Sequence, residues 1–543
     1  MKKPIMKKTS IFFLCFLFVA LLMGCTQKDT ETRELNMALS SSPITIDAQL
    51  VYDVNSSIVC RFFNSTLYEY NIDKELVPGL AESYEISDDG LRYTFKLKKD
   101  LKWSDGRALT SEDFVFGFKR FSDPAVGSNA VYLITDCCKL KNASAILAGE
   151  KPLSELGVYA PDKSTFVVEL EEPCTYFLDL ITNCDFAPCN EDFFHSAGKN
   201  YSTSQDTVIS CGSFIVDRYE PLATQIHFKK NPYYYNSDIV KLSGVNIQII
   251  ANSQQALMCY EAGTIDVTEV SGEILELAEA DPELEVFTSA SLFYVNINQL
   301  TGNSVLKNKN IRMALSKSID RKDICENLLK AGNVPMTRII PPGFYTETDG
   351  TDFSIDTGRC NEYAGYDPDK ALEYWKKGLS ELGVSSVNLG FLFASDYIAV
   401  AEAIANQMEK RLPGLKLELK GVPFKDRIDK ENSGEYDLVL TGWNADYSDP
   451  TSFLALFYTS DSNHSYTNEE YDSAYALAGS MEMSKNPDER NKVLHKVEDI
   501  IMEDAGVIPV YTKGKTYLIR EFVSGFQTPP TGVGVIVAGI KVD

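Results

Sequence analysis

Residues 77–120 read VPGLAESYEISDDGLRYTFKLKKDLKWSDGRALTSEDFVFGFKR. Two runs of alternating apolar and polar residues flank Asp88-Asp89-Gly90. An Asp-Gly step suits a tight reversal, so a β-hairpin is expected here. A second turn is expected at Ser104-Asp105-Gly106. Thr110 and Asp113 then stand at capping-box spacing, with Asp where Glu or Gln is more usual. Phe114, Val115 and Phe118 give the helix that follows one apolar face. Trp103 is expected in the core, with direct ligand contact as the alternative.

The surrounding chain has 543 residues, too many for one ordinary core, so two or three domains are expected. A composition of 44% hydrophobic and 24% charged residues belongs to globular proteins and excludes general disorder. The net charge is −25, and residues 1–24 contribute four lysines and no acid, so the remainder is more acidic still. Such a charge argues against nucleic acid or an anionic bilayer surface as partner, and is compatible with cationic ligands. Basic Met1 to Lys8 precede an apolar run, Ile11 to Met23, and then Gly24-Cys25. This pattern is a secretory signal, too short for a comfortable membrane span. Leu22-Met23-Gly24-Cys25 also resembles a bacterial lipobox, in which Cys25 is lipidated and becomes the first mature residue. The alternative is an ordinary signal cleaved nearby. Residues 1–24 are thus expected to be a lipoprotein signal peptide and 25–34 a lipidated tether. The body would then lie outside the cytoplasm, anchored to the bacterial cell membrane on its surface or periplasmic face. Ten further cysteines, at 60, 137, 138, 174, 184, 189, 211, 259, 325 and 360, lack CxxC spacing, so no zinc or other metal is expected. They are open to disulfide pairing or to life as buried thiols.

A second stretch, YDLVLTGWNADYSDPTSFL (436–454), opens with the apolar and β-branched residues of a strand and is expected to break at Gly442. Trp443 follows, then Asp446, and Asp449 stands before Pro450. A carboxylate beside a large aromatic, just past the end of a buried strand, is where open α/β folds place ligands. An acid held there pairs with an ammonium through charge-assisted hydrogen bonds. The alternative is a strand-to-loop turn carrying two solvated acids.

No common catalytic constellation emerges, and no cofactor is implied. There is no HExxH, and the four histidines (195, 227, 464 and 495) are scattered. GxSxG is absent. Ser304-Val305-Leu306-Lys307 fits SxxK, but no Lys-Thr-Gly accompanies it. Lys513-Gly514-Lys515-Thr516 looks like the end of a phosphate loop, yet Pro509 stands where its first Gly belongs. Asp446 and Asp449 as a glycosidase pair would lie only three residues apart on one loop, which leaves an exported hydrolase a distant alternative.

The order of Pro78-Gly79-Leu80-Ala81-Glu82-Ser83, the Asp-Asp-Gly turn, Lys102-Trp103-Ser104-Asp105-Gly106 and Thr110-Ser111-Glu112-Asp113-Phe114 resembles the signature region of the oligopeptide- and dipeptide-binding proteins of ABC importers (solute-binding family 5). The resemblance continues in 210–236, with its Asn231-Pro232-Tyr233-Tyr234-Tyr235 run, and in 293–324, whose helix puts Ile311, Ala314 and Ile319 on its apolar side. It extends through 366–383, where Asp367 is the expected N-cap and Pro368 the first helical residue, and on to a helix beginning at Asn486-Pro487-Asp488. It covers nearly all of the chain from about residue 35. It implies an α/β, bilobed, periplasmic-binding-protein-like fold (class II, peptide-binding type) with an extra accessory domain. Residues 35–64, 200–290 and 511–543 would form lobe I, 65–199 the accessory domain and 291–510 lobe II.

The resemblance also implies a function: a monomeric, non-enzymatic solute-binding protein that captures oligopeptides and delivers them to ABC permease subunits. Asp446 matches the family Asp that pairs with the ligand's α-ammonium. The backbone of Gly442, Trp443 and Asn444 would lie beside the peptide as an added strand, with Trp443 packed along its path. Tyr52, Asp53 and Val54 match the opposing backbone edge. Asn129 stands where peptide-binding relatives have an aromatic, and Phe424 replaces a family tryptophan. Glu431 and Leu440 occupy positions where some relatives use arginines to meet a tripeptide carboxylate. That departure favours longer peptides, a different carboxylate anchor, or a non-peptide solute such as an oligosaccharide, an opine-like amine or a metal complex. Asp449 is expected to be a structural turn acid.

Overall fold

The computed structural model describes residues 33–271, 273–330, 332–355, 360–459, 466–531 and 534–542. The expected signal peptide, lipobox and Cys25 lie outside the described residues, as does all of the tether but its last two positions. No described helix is long and apolar enough to cross a membrane.

The opening stretch folds as its pattern predicts. Strands Ala81–Ile86 and Arg92–Leu97 pair antiparallel around Gly90, whose φ of 70° is the left-handed angle the reversal requires. Helix Ser111–Phe121 begins with the Thr110/Asp113 capping box, and Phe114, Val115 and Phe118 are buried. With Thr165–Glu169 and Val158–Asp162 the hairpin completes a four-stranded sheet. Its core gathers Tyr93, Phe95, Phe118, Phe166, Phe177 and Trp103. Trp103 is therefore a core residue.

Two larger sheets carry the rest. The first has seven strands in the spatial order 284–288, 514–519, 267–270, 34–39, 244–249, 225–230 and 214–218. The second has six, in the order 334–335, 507–512, 291–297, 438–444, 387–394 and 415–422. The ladders fix which ends of the strands lie together. In the first sheet 34–39, 244–249 and 267–270 run parallel, and 284–288 shares their direction because both it and 267–270 pair antiparallel with 514–519. In the second, 387–394, 415–422 and 438–444 run parallel, and 507–512 shares that direction through the antiparallel strand 291–297 between them. The chain leaves the first sheet at Thr288 and enters the second at Ser291; it returns from Thr512 to Gly514. Both crossings join the edge holding the carboxyl ends of one sheet to the same edge of the other. Hydrogen bonds tie the two crossings side by side, from Ser289 N–H to Lys513 O (3.0 Å) and from Thr512 Oγ1 to Ser289 O (2.9 Å).

Alternation along 291–297 explains how the second sheet is covered. Phe293, Val295 and Ile297 face a core shared with helices Lys309–Lys317, Pro368–Leu382 and Ile398–Arg411. Leu292 and Tyr294 face another, shared with helices Glu469–Ala478 and Pro487–Glu503. Asp367 caps its helix by accepting from Lys370 N–H (3.0 Å), with Pro368 in the first turn. Cys60, Cys138, Cys174, Cys184, Cys189, Cys211, Cys259 and Cys325 are thiols outside any disulfide.

One expectation is corrected. Strand Leu438–Asn444 does not break at Gly442 but runs two residues past it, in register with Ser291–Ile297. Glycine is needed there for space: a Cβ would sit 2.8 Å from the ring of Phe293, which stacks on Tyr511 at 4.7 Å between centroids. Gly442→Ala should cost about 1–3 kcal/mol of stability in urea unfolding. Combining it with Phe293→Leu, which vacates that space, should cost less than the sum of the two single changes. Strict additivity would show that the ring does not set the requirement.

Candidate ligand-binding site

The carboxyl edge of the six-stranded sheet gathers the loops after four strands. Ser395–Tyr397 follows 387–394, Phe424 follows 415–422, Ala445 and Asp446 follow 438–444, and Lys513 follows 507–512. Across the crossings, the first sheet offers the matching edge. There Asn55 Nδ2 donates to Ser41 O (3.1 Å) and Ile44 N–H to Ser56 Oγ (2.9 Å), which holds the start of helix Val54–Phe63 beside the end of strand 34–39. Tyr52 and Val54 are exposed there, Tyr52 by 55%. Asp53 caps the helix, accepting from Ser56 N–H (2.9 Å), and its second oxygen is buried without a partner.

Asp446 is pinned through its backbone. Its N–H donates to Ser452 Oγ (3.0 Å) and its carbonyl accepts from Asn183 Nδ2 (3.2 Å). Its carboxylate accepts one hydrogen bond, from the Tyr132 hydroxyl (2.9 Å), and among the described residues no cation lies within 4 Å of it. Burial pushes this carboxyl up to about 6, opposed by the Tyr132 hydroxyl. Tyr132 is 38% exposed and belongs to the segment after helix Ser111–Phe121. Asn129, three positions earlier, is exposed. The aromatic that meets Asp446 is therefore Tyr132, which the sequence reading passed over; its nearness in sequence to Asn129 was the available signal.

The neighbouring acids differ. Asp449 is fully inside, bidentate to Arg490 at 2.7 and 2.9 Å, and accepts from Thr451 N–H (3.0 Å). Burial alone would raise its carboxyl, but the Arg490 guanidinium outweighs burial and holds it below the usual range. It cannot serve as a second reacting carboxylate. Asp179, from the four-stranded unit, accepts from Ser448 N–H (2.7 Å) and from the Tyr70 hydroxyl, and burial pushes it up to about 6. Tyr176 stacks on Tyr447 at 3.8 Å and 3°. The loop carrying Asp446 is thus fixed from both sides.

The remaining expected residues flank this loop. Trp443 is half-buried against the 487–503 side of the sheet, and its indole N–H is buried without an acceptor. Asn444 is exposed at the strand end. Phe424 is 56% exposed, with the Arg427 guanidinium 5.1 Å from its ring. Glu431 is buried and paired with Arg427, which also donates to Thr441 Oγ1 (2.6 Å); Leu440 is in the core. The Arg427 guanidinium, close to the expected arginine positions, is therefore already neutralised internally.

The two sheets thus present their carboxyl edges to each other, and the half-buried Asp446 lies on one of them. The chain belongs to the bacterial extracellular solute-binding proteins, family 5, whose sequence profile matches residues 75–465. It is 31% identical to the dipeptide-binding protein of Lactococcus lactis subsp. cremoris over 94% of this chain and 95% of that one. In structure it resembles Listeria monocytogenes OppA bound to peptide (TM-score 0.72, 29% identity, 94% and 99% covered). It also resembles the substrate-binding domain of an oligopeptide ABC transporter from Bacillus anthracis (TM-score 0.71, 30% identity, 94% and 99% covered). The bilobed binding-protein fold and the non-enzymatic role follow from that membership.

Carboxyl titration by NMR should place Asp446 near pH 6. Tyr132→Phe, which removes the one hydrogen bond favouring the ionised form, should move it higher. Because the folded value lies above the unfolded one, ligand-free stability should fall as pH rises from about 4 to 6. A titration near the ordinary carboxylate value would contradict the burial described.

Proposed function

We propose that this protein captures oligopeptides by their α-ammonium at Asp446, with the backbone of Gly442–Asn444 alongside the ligand and Trp443 and Phe424 as apolar walls. The observation that carries this reading is the Asp446 carboxylate: it is mostly buried, is held by the backbone, and has a single neutral partner. An ammonium entering there restores the missing counter-charge, which rewards cationic ligands and penalises neutral ones. Tyr52, Asp53 and Val54 supply the facing edge. Asn129 lies on the same segment as Tyr132 but makes no contact with the acid in this reading. Closure of the two lobes about the crossings traps the ligand, and the closed form is passed to the permease of an ABC importer. The polypeptide works as a monomer, held to the membrane by lipid on Cys25. Its likeness to peptide-binding relatives supports the peptide class over an oligosaccharide, opine-like amine or metal complex.

Calorimetry with a peptide mixture and its N-acetylated counterpart tests this. Free-amine peptides should bind, and acetylation or Asp446→Asn should each weaken binding about 10- to 100-fold, without adding when combined. Affinity should decline below about pH 6 as Asp446 takes up its proton, and above about pH 8 as the ligand amine loses its own. Native mass spectrometry that recovered a saccharide or metal complex, with no peptide bound, would sink the reading.

A further inference from the structure

The edge that carries Asp446 also carries a cation with no acid to meet it. Lys513 is the residue of the second crossing, in the Lys-Gly-Lys-Thr run that fails as a phosphate loop. Its backbone is held at both sides: its N–H donates to Ser291 Oγ (3.2 Å) and its carbonyl accepts from Ser289 N–H (3.0 Å). The side chain is laid over two rings. Its Nζ stands 4.6 Å from the Phe293 centroid, 5.4 Å from that of Tyr397, and 3.4 Å from the Tyr397 hydroxyl. No carboxylate among the described residues lies within 4 Å of it, although the chain is strongly acidic. Lys515, two positions on, instead faces Glu269.

Phe293 links this ammonium to the site already described. Phe293 pairs with Gly442 on one side and Tyr511 on the other, so strands 438–444 and 507–512 flank one shared neighbour and end on one edge. Their ends are two strand spacings apart, roughly 10 Å, and an extended peptide covers that in about three residues at ~3.3 Å each. A cation pre-placed by two aromatic faces needs little reordering to receive an anion.

We infer that Lys513 is the anion subsite of the cleft. It receives a ligand carboxylate about three to four residues from the ammonium held by Asp446, supplied by a C-terminus or by an Asp or Glu side chain. This rests on the reading of Asp446 as the ammonium site. It gives the ligand's far end an anchor where the helix Phe424–Asn432 offers only an internally paired Arg427.

The test is calorimetry at low salt with alanine peptides of two to six residues, each as free acid and C-terminal amide. A second, amidated series carries Glu or Gln at the third position. Proteins are the wild type, Lys513→Met, Lys513→Glu and Asp446→Asn, with thermal unfolding as a check on folding. In the wild type, amidation should weaken tri- and tetrapeptide binding about tenfold, and less for longer chains. In Lys513→Met the ratio of acid to amide should collapse to about one, and in Lys513→Glu it should invert, an outcome that misfolding cannot produce. A preference for Glu over Gln in the amidated series that is lost in Lys513→Met assigns the side chain as a carboxylate source; a terminal effect alone assigns the C-terminus. An acid-to-amide ratio identical in wild type and Lys513→Met, with N-acetylation still decisive, overturns the Lys513 assignment and leaves the Asp446 reading intact. Loss of N-acetyl sensitivity in the wild type overturns the reading beneath it.

Discussion

The structure depends on where the chain passes between its two large sheets. Both passages, 288–291 and 512–514, join carboxyl edge to carboxyl edge, and hydrogen bonds through Ser289, Ser291, Thr512 and Lys513 hold them together. Loops following parallel strands therefore have only one place to gather, the space between the sheets. Asp446, Phe424, Tyr397 and Lys513 come from separate parts of the sequence and share that edge for this reason. The same two crossings are covalent links between the sheets, so the constraint that gathers these loops also sets how the sheets are joined.

Around that edge, environment separates residues of the same type. Asp446 and Asp449 lie three positions apart, yet Asp449 is neutralised by Arg490 while Asp446 has only a tyrosine hydroxyl. The first is spent on structure, fastening the loop to helix Pro487–Glu503. The second keeps an unmet electrostatic demand. Asp179 reaches across from the four-stranded unit to the Ser448 amide, so the loop's backbone is set before any ligand arrives. Glu431 and Arg427 repeat the pattern of Asp449 and Arg490: a buried pair whose charges cancel and which offers a ligand little.

Much of this was legible in sequence because it is local. The Asp88-Asp89-Gly90 reversal, the Thr110/Asp113 box and the Asp367-Pro368 start all follow from one or two turns of backbone, and the structure bears them out. Gly442 was misjudged because a glycine reads as a backbone breaker, whereas its reason is the Phe293 ring arriving from a strand some 150 residues earlier. Tyr132 was missed because its contact with residue 446 is tertiary, and its nearness to Asn129 was the one local hint. The Arg427–Glu431 pair was within reach, since i,i+4 spacing on a helix places such residues together. The partners of Asp446 and Lys513 depend on tertiary contacts that no spacing rule encodes.

Strand Gly514–Ile519 sits between 267–270 and 284–288, inside the seven-stranded sheet. Strand 267–270 also pairs with 34–39, but until 514–519 has been made strand 284–288 has nothing to join it to that sheet. The six-stranded sheet and the four-stranded unit draw on shorter stretches, so folding should proceed in stages, with strand 284–288 waiting on 514–519. Contacts this distant along the chain are slow to form. A newly made molecule should therefore pass through an incomplete state, whose open strand edges at 267–270 and 284–288 would need shielding from its neighbours until 514–519 is laid in.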